Sequence, residues 1–180
     1  VGLHGVGASV VNALSSAMEV EVKRNGNIYK QRYERGKTMN KLEIVGKSKE
    51  TGTTTWFQPD HEIFDTLIYN YSTLEHRLRE MAFLNKGISI SLTDLREDPV
   101  KKETFCYEGG IKEFVQFQNK NKEPIHPDIV YFEVSKDNLE CEVALQYTDR
   151  YSEFILSYAN NINTTEGGTH LVVFKAALTR

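Results

Sequence analysis

The segment Gly2-Leu3-His4-Gly5-Val6-Gly7-Ala8-Ser9 runs three glycines and a small residue straight into Val10-Val11-Asn12-Ala13-Leu14, which reads as a helix. Glycine reaches φ > 0 and lets a ligand approach the main chain closely. The first N–H groups of a helix have no partner within it, and the peptide dipoles there favour an anion. A glycine-rich loop feeding a helix N-terminus is a phosphate cradle. It lacks the Gly-Lys-Ser/Thr ending of a Walker A loop. No strand precedes it and no suitable acidic residue follows, so it is not a Rossmann fingerprint either. A nucleotide pocket needs further walls, and the loop opens the chain, so the sequence reads as an internal segment holding one wall of a site.

A chain of 180 residues suits one large domain or two small ones. With 22 basic and 25 acidic residues its formal net charge is −3, which gives no electrostatic case for nucleic-acid binding by this stretch alone. No apolar run approaches the ~18 residues of a membrane span, and no signal peptide is visible. Cys106 and Cys141 lie far apart and have no metal-ligand spacing. Cys141 alternates with Leu139, Val143 and Leu145 and reads as a buried small hydrophobe. Free thiols and a reducing cytoplasm follow.

Periodicity then places the elements. Residues 7–16 read as a helix. Val20 and Val22 alternate with charge, Asn25-Gly26 signals a hairpin, and Ile28 to Tyr33 reads as the return strand. Residues 42–45 and 53–57 read as strands. Leu74, Leu78 and Met81 mark an amphipathic helix with Ser72 or Thr73 as N-cap. Strands follow at 88–92 and 104–107, separated by a charged loop over 96–102. After Gly109-Gly110 a helix face (Ile111, Phe114, Val115, Gln118) precedes strands at 130–134, 139–145 and 154–158, and a last helix from Thr169 to Leu178. The pattern is α/β with a boundary near Gly109: residues 1–109 and residues 110–180.

The opening loop resembles the nucleotide-binding loop of type II topoisomerase ATPase subunits. Four more stretches resemble the same family in the same order. They are Thr51-Gly52-Thr53 with Phe57-Gln58-Pro59-Asp60, Arg77 to Asn85, Tyr107-Glu108-Gly109-Gly110-Ile111, and Asn160-Asn161-Ile162-Asn163-Thr164 with Glu166-Gly167-Gly168-Thr169-His170. The Asn-Ile-Asn-Thr wording leans towards one of the family's two bacterial paralogues. The resemblance implies the C-terminal part of a GHKL (Bergerat) ATPase α/β sandwich, followed by the start of a transducer domain with a ribosomal-protein-like βαβ core. It implies ATP and Mg²⁺ as cofactors of the longer protein. Main-chain groups of Gly2, Leu3, His4, Gly5, Val6, Gly7 and Ala8 would wrap the phosphates. Thr53 would serve the adenine side, and Arg24 the pocket mouth, where aminocoumarin inhibitors bind.

The resemblance also implies partners: the protein carrying the DNA-cleaving tyrosine in a heterotetramer, self-dimerisation through an N-terminal gate, and DNA in the holoenzyme, with no membrane. Val1 stands where the family has a second glycine. The family's catalytic glutamate, Mg²⁺-binding asparagine and adenine-reading aspartate lie before this loop, and its transducer lysine lies after Arg180. No catalytic residue and no metal ligand is therefore expected in this chain, and the chain alone is expected not to hydrolyse ATP.

Plainer readings stand beside these. His4 reads as structural rather than as a general base. His170 at a helix start is packing or capping, or helps to join the domains, and His61, His76 and His126 read as surface residues without zinc-ligand spacing. Thr53 could be only a strand residue and Arg24 only a solvated hairpin charge. Glu19 and Glu21 read as an exposed strand face, and Ser15-Ser16 has no base beside it. A rival of another class is a non-catalytic structural transducer segment. Another GHKL ATPase, of the mismatch-repair or chaperone kind, is disfavoured by the extended signature from Asn160 to His170.

Overall fold

The computed structural model describes residues 5–180. They form two compact units that divide between Ile68 and Tyr69.

The first unit is a short helix feeding an antiparallel sheet. Helix α1 (Gly7–Ala13) leads into β1 (Ser15–Arg24), β2 (Asn27–Glu34), β3 (Lys37–Thr38), β4 (Glu43–Lys47) and β5 (Gly52–Pro59). The path is β3-β2-β1-β5, with β4 also paired to β2. Arg24 pairs with Asn27, so Asn25-Gly26 is a two-residue loop, with φ of 53° and 77°. Both positive values mark the type I′ turn whose twist matches the strands it joins. Arg35-Gly36 closes β2 onto β3 in the same way, at φ 47° and 80°.

Register divides the sheet into two chemistries. Met18, Val20, Val22 and Arg24 lie opposite Phe57, Thr55 and Thr53 on β5 and Tyr33, Gln31, Tyr29 and Asn27 on β2. The other face carries Glu19, Glu21 and Lys23 beside Arg32, Lys30, Thr54 and Trp56. Glu19 is half-buried and takes Lys30 at 2.8 Å. That pairing, rather than plain solvation, holds its charge.

Where α1 meets the sheet, Asp60 is 1% exposed. It accepts from Arg35 Nε at 2.5 Å and from the Glu62 N–H at 3.0 Å. Both contacts hold its carboxyl below the usual carboxylate range. The same bonds, with Glu62 at 2.8 Å, raise the Arg35 guanidinium.

The second unit opens with α2 (Tyr71–Leu84), then the hairpin β6 (Ser89–Asp94) and β7 (Lys101–Cys106), α3 (Ile111–Gln118), the hairpin β8 (Val130–Lys136) and β9 (Leu139–Leu145), the short hairpin β10 (Tyr158–Ala159) and β11 (Ile162–Asn163), and α4 (Gly168–Leu178). Two more two-residue turns, Asp137-Asn138 and Asn160-Asn161, have positive φ throughout. Ala82, Phe83, Phe105 and Phe114 are buried. Phe83 stacks on Tyr107 at 3.6 Å and on Phe114 at 4.7 Å, with Phe117 tilted at 5.5 Å. Asp94 accepts from Arg96 Nη2 at 2.5 Å and from its N–H at 3.0 Å, and Arg96 also reaches the Tyr69 carbonyl at 2.9 Å. Those contacts bring the Asp94 carboxyl down to about 2.

Several sequence expectations are corrected. The first helix stops at Ala13, because β1 starts at Ser15. Asn70, not Ser72 or Thr73, caps α2: its Oδ1 accepts from the Thr73 N–H at 2.9 Å. Strand β7 begins inside the charged stretch, at Lys101. Of the expected strand at 154–158 only Tyr158 is extended into a ladder. Cys106 and Cys141 are free, but Cys141 is exposed, because β9 sits in a two-stranded ribbon. His126 is half-buried and holds a loop: its Nε2 accepts from the Tyr147 N–H at 2.9 Å.

Two outcomes follow. Phe83→Ala removes the centre of the aromatic stack and is expected to cost about 4 kcal/mol in chemical denaturation. Asp94 has a folded value below the ordinary 3.8, so its contribution is complete above 3.8 and disappears as pH falls towards about 2. Asp94→Asn is expected to lower stability at neutral pH and to flatten the acid limb of the melting-temperature profile across that window.

Candidate functional site

Of the glycine-loop residues, Gly2, Leu3 and His4 lie outside the described residues, whereas Gly5, Val6, Gly7 and Ala8 lie within them. Gly5 has φ 61°, and a Cβ there would meet none of the described residues within 4 Å. The glycine is therefore required by backbone conformation and leaves open space beside the chain. Val6 is the N-cap of α1 without a side-chain cap, and no acidic residue stands in the first turn. An anion meets no like charge at that end. The fit to phosphate oxygens is one of main-chain groups and open space.

A helix of seven residues is too short to stand alone. Its far end is fastened instead. Ser15 Oγ donates to the Val11 carbonyl at 2.6 Å, and Gly36 N–H to the Asn12 carbonyl at 3.1 Å. Asp60 N–H donates to the Leu14 carbonyl at 3.0 Å, and Arg35 N–H to the Ser15 carbonyl at 2.9 Å. The carbonyls that a helix C-terminus leaves unpaired are thus taken up by the β2–β3 turn and the end of β5. Asp60, Arg35 and Gly36 position the loop without belonging to it. The sequence signal for this was the Arg35-Gly36 pair, a turn of the same kind as Asn25-Gly26.

Thr53 and Arg24 come together at the opposite end of β1. Thr53 pairs with Val22, two residues before Arg24, so both side chains lie on one sheet face and both residues are exposed. Thr54 and Thr55 alternate on either side, which gives Thr53 its place by register. Beside Arg24, a shallow cavity of about 530 Å³ is lined by Gly26, Lys47, Ser48 and Lys49. Lys47 Nζ donates to Asn27 Oδ1 at 2.9 Å, and Lys23 reaches Glu50 at 3.5 Å. Among the described residues no hydrogen bond or ion pair links Gly5–Ala8 to Arg24 or Thr53.

Mg²⁺ takes oxygen ligands, mostly carboxylates and waters. Among the described residues no three His, Cys, Asp or Glu side chains gather as a metal site. His170 lies next to the Gly167-Gly168 turn with its Nε2 3.4 Å from Thr164 Oγ1, a local packing contact.

Residues 110–180 match the family model described as DNA gyrase B. The chain is 59% identical to DNA gyrase B of Clostridium acetobutylicum, over 99% of this chain and 28% of that protein. It is 54% identical to DNA gyrase B of Staphylococcus epidermidis, with the same coverage. The chain thus spans less than a third of the length of these relatives. Among solved structures it superposes on the 43K ATPase domain of Thermus thermophilus gyrase B, in complex with an aminocoumarin, at TM-score 0.86 and 38% identity. That match covers 97% of this chain and 48% of the other. The B-subunit of the DNA gyrase from Myxococcus xanthus gives TM-score 0.84 at 25% identity, over 94% and 50%. The mixed α/β fold is that of gyrase B ATPase domains.

One outcome tests the positioning role. Arg35→Ala leaves Asp60 buried without its cation. It is expected to lower the melting temperature by several degrees, and to increase amide exchange of α1 more than that of β1 at Val20 and Val22.

Proposed function

We propose, from a chain homologous to DNA gyrase B along 99% of its length, that this segment is one wall of an ATP site together with the start of the element that senses it. The parent protein would be an ATP-hydrolysing type II topoisomerase of the cytoplasm. It would act with gyrase A in a heterotetramer, dimerise through its N-terminal region, and pass DNA through DNA. Residues 1–109 would complete the ATP-binding domain and residues 110–180 would begin the transducer. The observation that carries the reading is the loop at Gly5–Ala8, open at φ 61° and continuous with a helix clamped by Asp60.

The chemistry assigned to this chain is binding and orientation. Main-chain N–H groups of the loop hold the phosphates, where hydrogen bonds to charged oxygens are strong. The hydroxyl of Thr53 serves the adenine side directly or through water. Arg24 supplies a cation at the pocket mouth; its neighbours Lys23 and Lys47 are engaged with Glu50 and Asn27. Mg²⁺, when bound, offsets charge on the transferred phosphoryl group. The water-activating base and the metal ligands would come from parts of the longer protein outside this chain. Ordering of the glycine loop by the γ-phosphate would be passed to residues 110–180 as a domain rotation.

The first test is calorimetric titration of this chain with a non-hydrolysable ATP analogue and Mg²⁺. No heat is expected, and micromolar binding would overturn the one-wall reading. In the full-length protein, Gly5→Ala and Thr53→Ala are each expected to weaken the analogue by about tenfold or more. Arg24→Ala is expected to weaken an aminocoumarin while sparing ATP turnover. A full-length protein that decatenates but does not supercoil would replace this reading with the ATPase component of the paralogous topoisomerase IV. Full-length protein without ATPase activity would leave a structural transducer element.

A further inference from the structure

Residues 80–86, at the end of α2, meet α3 and both hairpins that follow it, through contacts of two physical kinds. At the centre, Phe83 is 1% exposed and stacks on Tyr107, Phe114 and Phe117. Around it sit directional contacts. The Tyr158 hydroxyl donates to Glu80, whose other oxygen accepts from Arg77 at 3.1 Å. Asn161 Nδ2 donates to Asn85 Oδ1 at 2.9 Å. Lys86 Nζ donates to the Tyr131 hydroxyl at 2.8 Å and pairs with Glu142 at 2.7 Å. Apolar burial is non-directional and follows the area covered, whereas hydrogen bonds weaken steeply with distance and angle.

Beside this cluster the main chain has a residue that only glycine suits. Gly110 has φ 58° and ψ −131°, and a Cβ there would lie 2.6 Å from Lys86 Cγ and Cε. The stem of Lys86 therefore runs across the base of α3 before its ammonium reaches the β8–β9 hairpin. Gly109 is held on the other side, its N–H donating to Glu113 at 3.0 Å.

We infer that residues 80–86 form a pivot with catches: the Phe83 stack is the bearing on which α3 and its hairpins turn, and the Lys86–Glu142 and Glu80–Tyr158 contacts hold one setting of that turn. The inference deepens the proposed transducer role and rests on it. Releasing the catches frees rotation without dismantling the unit. Removing Lys86 leaves the Tyr131 hydroxyl 2.8 Å from Glu142 and 3.0 Å from Glu133, its one proton free to go to either, and removing the Tyr158 hydroxyl leaves Glu80 on Arg77. No buried charge is orphaned by either change.

The test uses full-length protein with its native cysteines replaced and spin labels at His76 on α2 and Ser135 on β8, both exposed. Lys86→Met with Tyr158→Phe is expected to widen the label distance distribution about twofold, with far-UV dichroism unchanged. High salt is expected to widen the wild-type distribution in the same sense, because the Lys86–Glu142 pair is partly exposed. Phe83→Leu is expected to lower the melting temperature instead. An unchanged distribution in the folded double variant overturns the catches. A widened distribution that the ATP analogue does not shift keeps the catches and overturns the ATP coupling.

Discussion

The first unit depends on one buried carboxylate. Asp60 has almost no contact with water, yet it stays charged because Arg35 and the Glu62 N–H satisfy it. Its own N–H reaches back to Leu14, and its carbonyl accepts from Ile63 and Phe64 at 3.1 and 3.0 Å. One residue thus joins the end of β5, the β2–β3 turn and the exit of α1. The cost of burying its charge is offset only while all of these partners are present. The glycine loop inherits its orientation from that arrangement: α1 is too short to hold a direction by its own hydrogen bonds. Whatever the loop binds, the helix behind it is oriented by residues that lie outside the loop.

The second unit is held differently. Its centre is aromatic, with Phe83 between Tyr107 and Phe114 at stacking distance and Arg79 over the rings of Phe105 and Phe117. Arg79 is itself tied to Glu75 and Glu103, at 2.5 and 2.8 Å, so its guanidinium caps the apolar cluster while its charge is paired. Apolar burial at such a centre sets no bond direction, whereas the polar contacts at its rim do. This division between a non-directional centre and a directional rim suits residues 110–180, whose proposed task is to report a ligand's arrival by moving.

Local chemistry was legible wherever a single physical rule decides the outcome. Asn25-Gly26 had to be a tight turn, and Gly109-Gly110 had to interrupt the chain. The alternation of Val20 and Val22 with charge gave the right strand and the right faces. The rest depended on which partners come within reach, near or far in sequence. Asn70 caps α2 because Thr73 comes within reach, although Ser72 and Thr73 are as good by type. Residues 154–156 alternate as a strand would but find no neighbour to pair with among the described residues. Cys141 keeps a core-like pattern in a ribbon that leaves it exposed. Arg35 and Asp60, 25 residues apart, carry no mutual signal in the sequence. The glycine loop running into a helix could be read from the sequence, but the clamp behind it could not.

These two modes of stabilisation bear on how a nucleotide signal would travel. A ligand on the glycine loop, as proposed, would act on α1, whose Asn12 and Leu14 carbonyls accept from Gly36 and Asp60. Anything that binds only the ordered loop stabilises the first unit by mass action. The second unit has its own core and its own acid-sensitive pair, Asp94 with Arg96. Coupling therefore requires an element of the second unit with two arrangements that differ by little energy. The rim around Phe83 has the character this demands. Its contacts are few and directional, and Glu80 and Glu142 each keep another partner, Arg77 and Tyr131, when Tyr158 or Lys86 is lost. Had that rim been sealed by a large apolar surface, a nucleotide would have had nothing to shift.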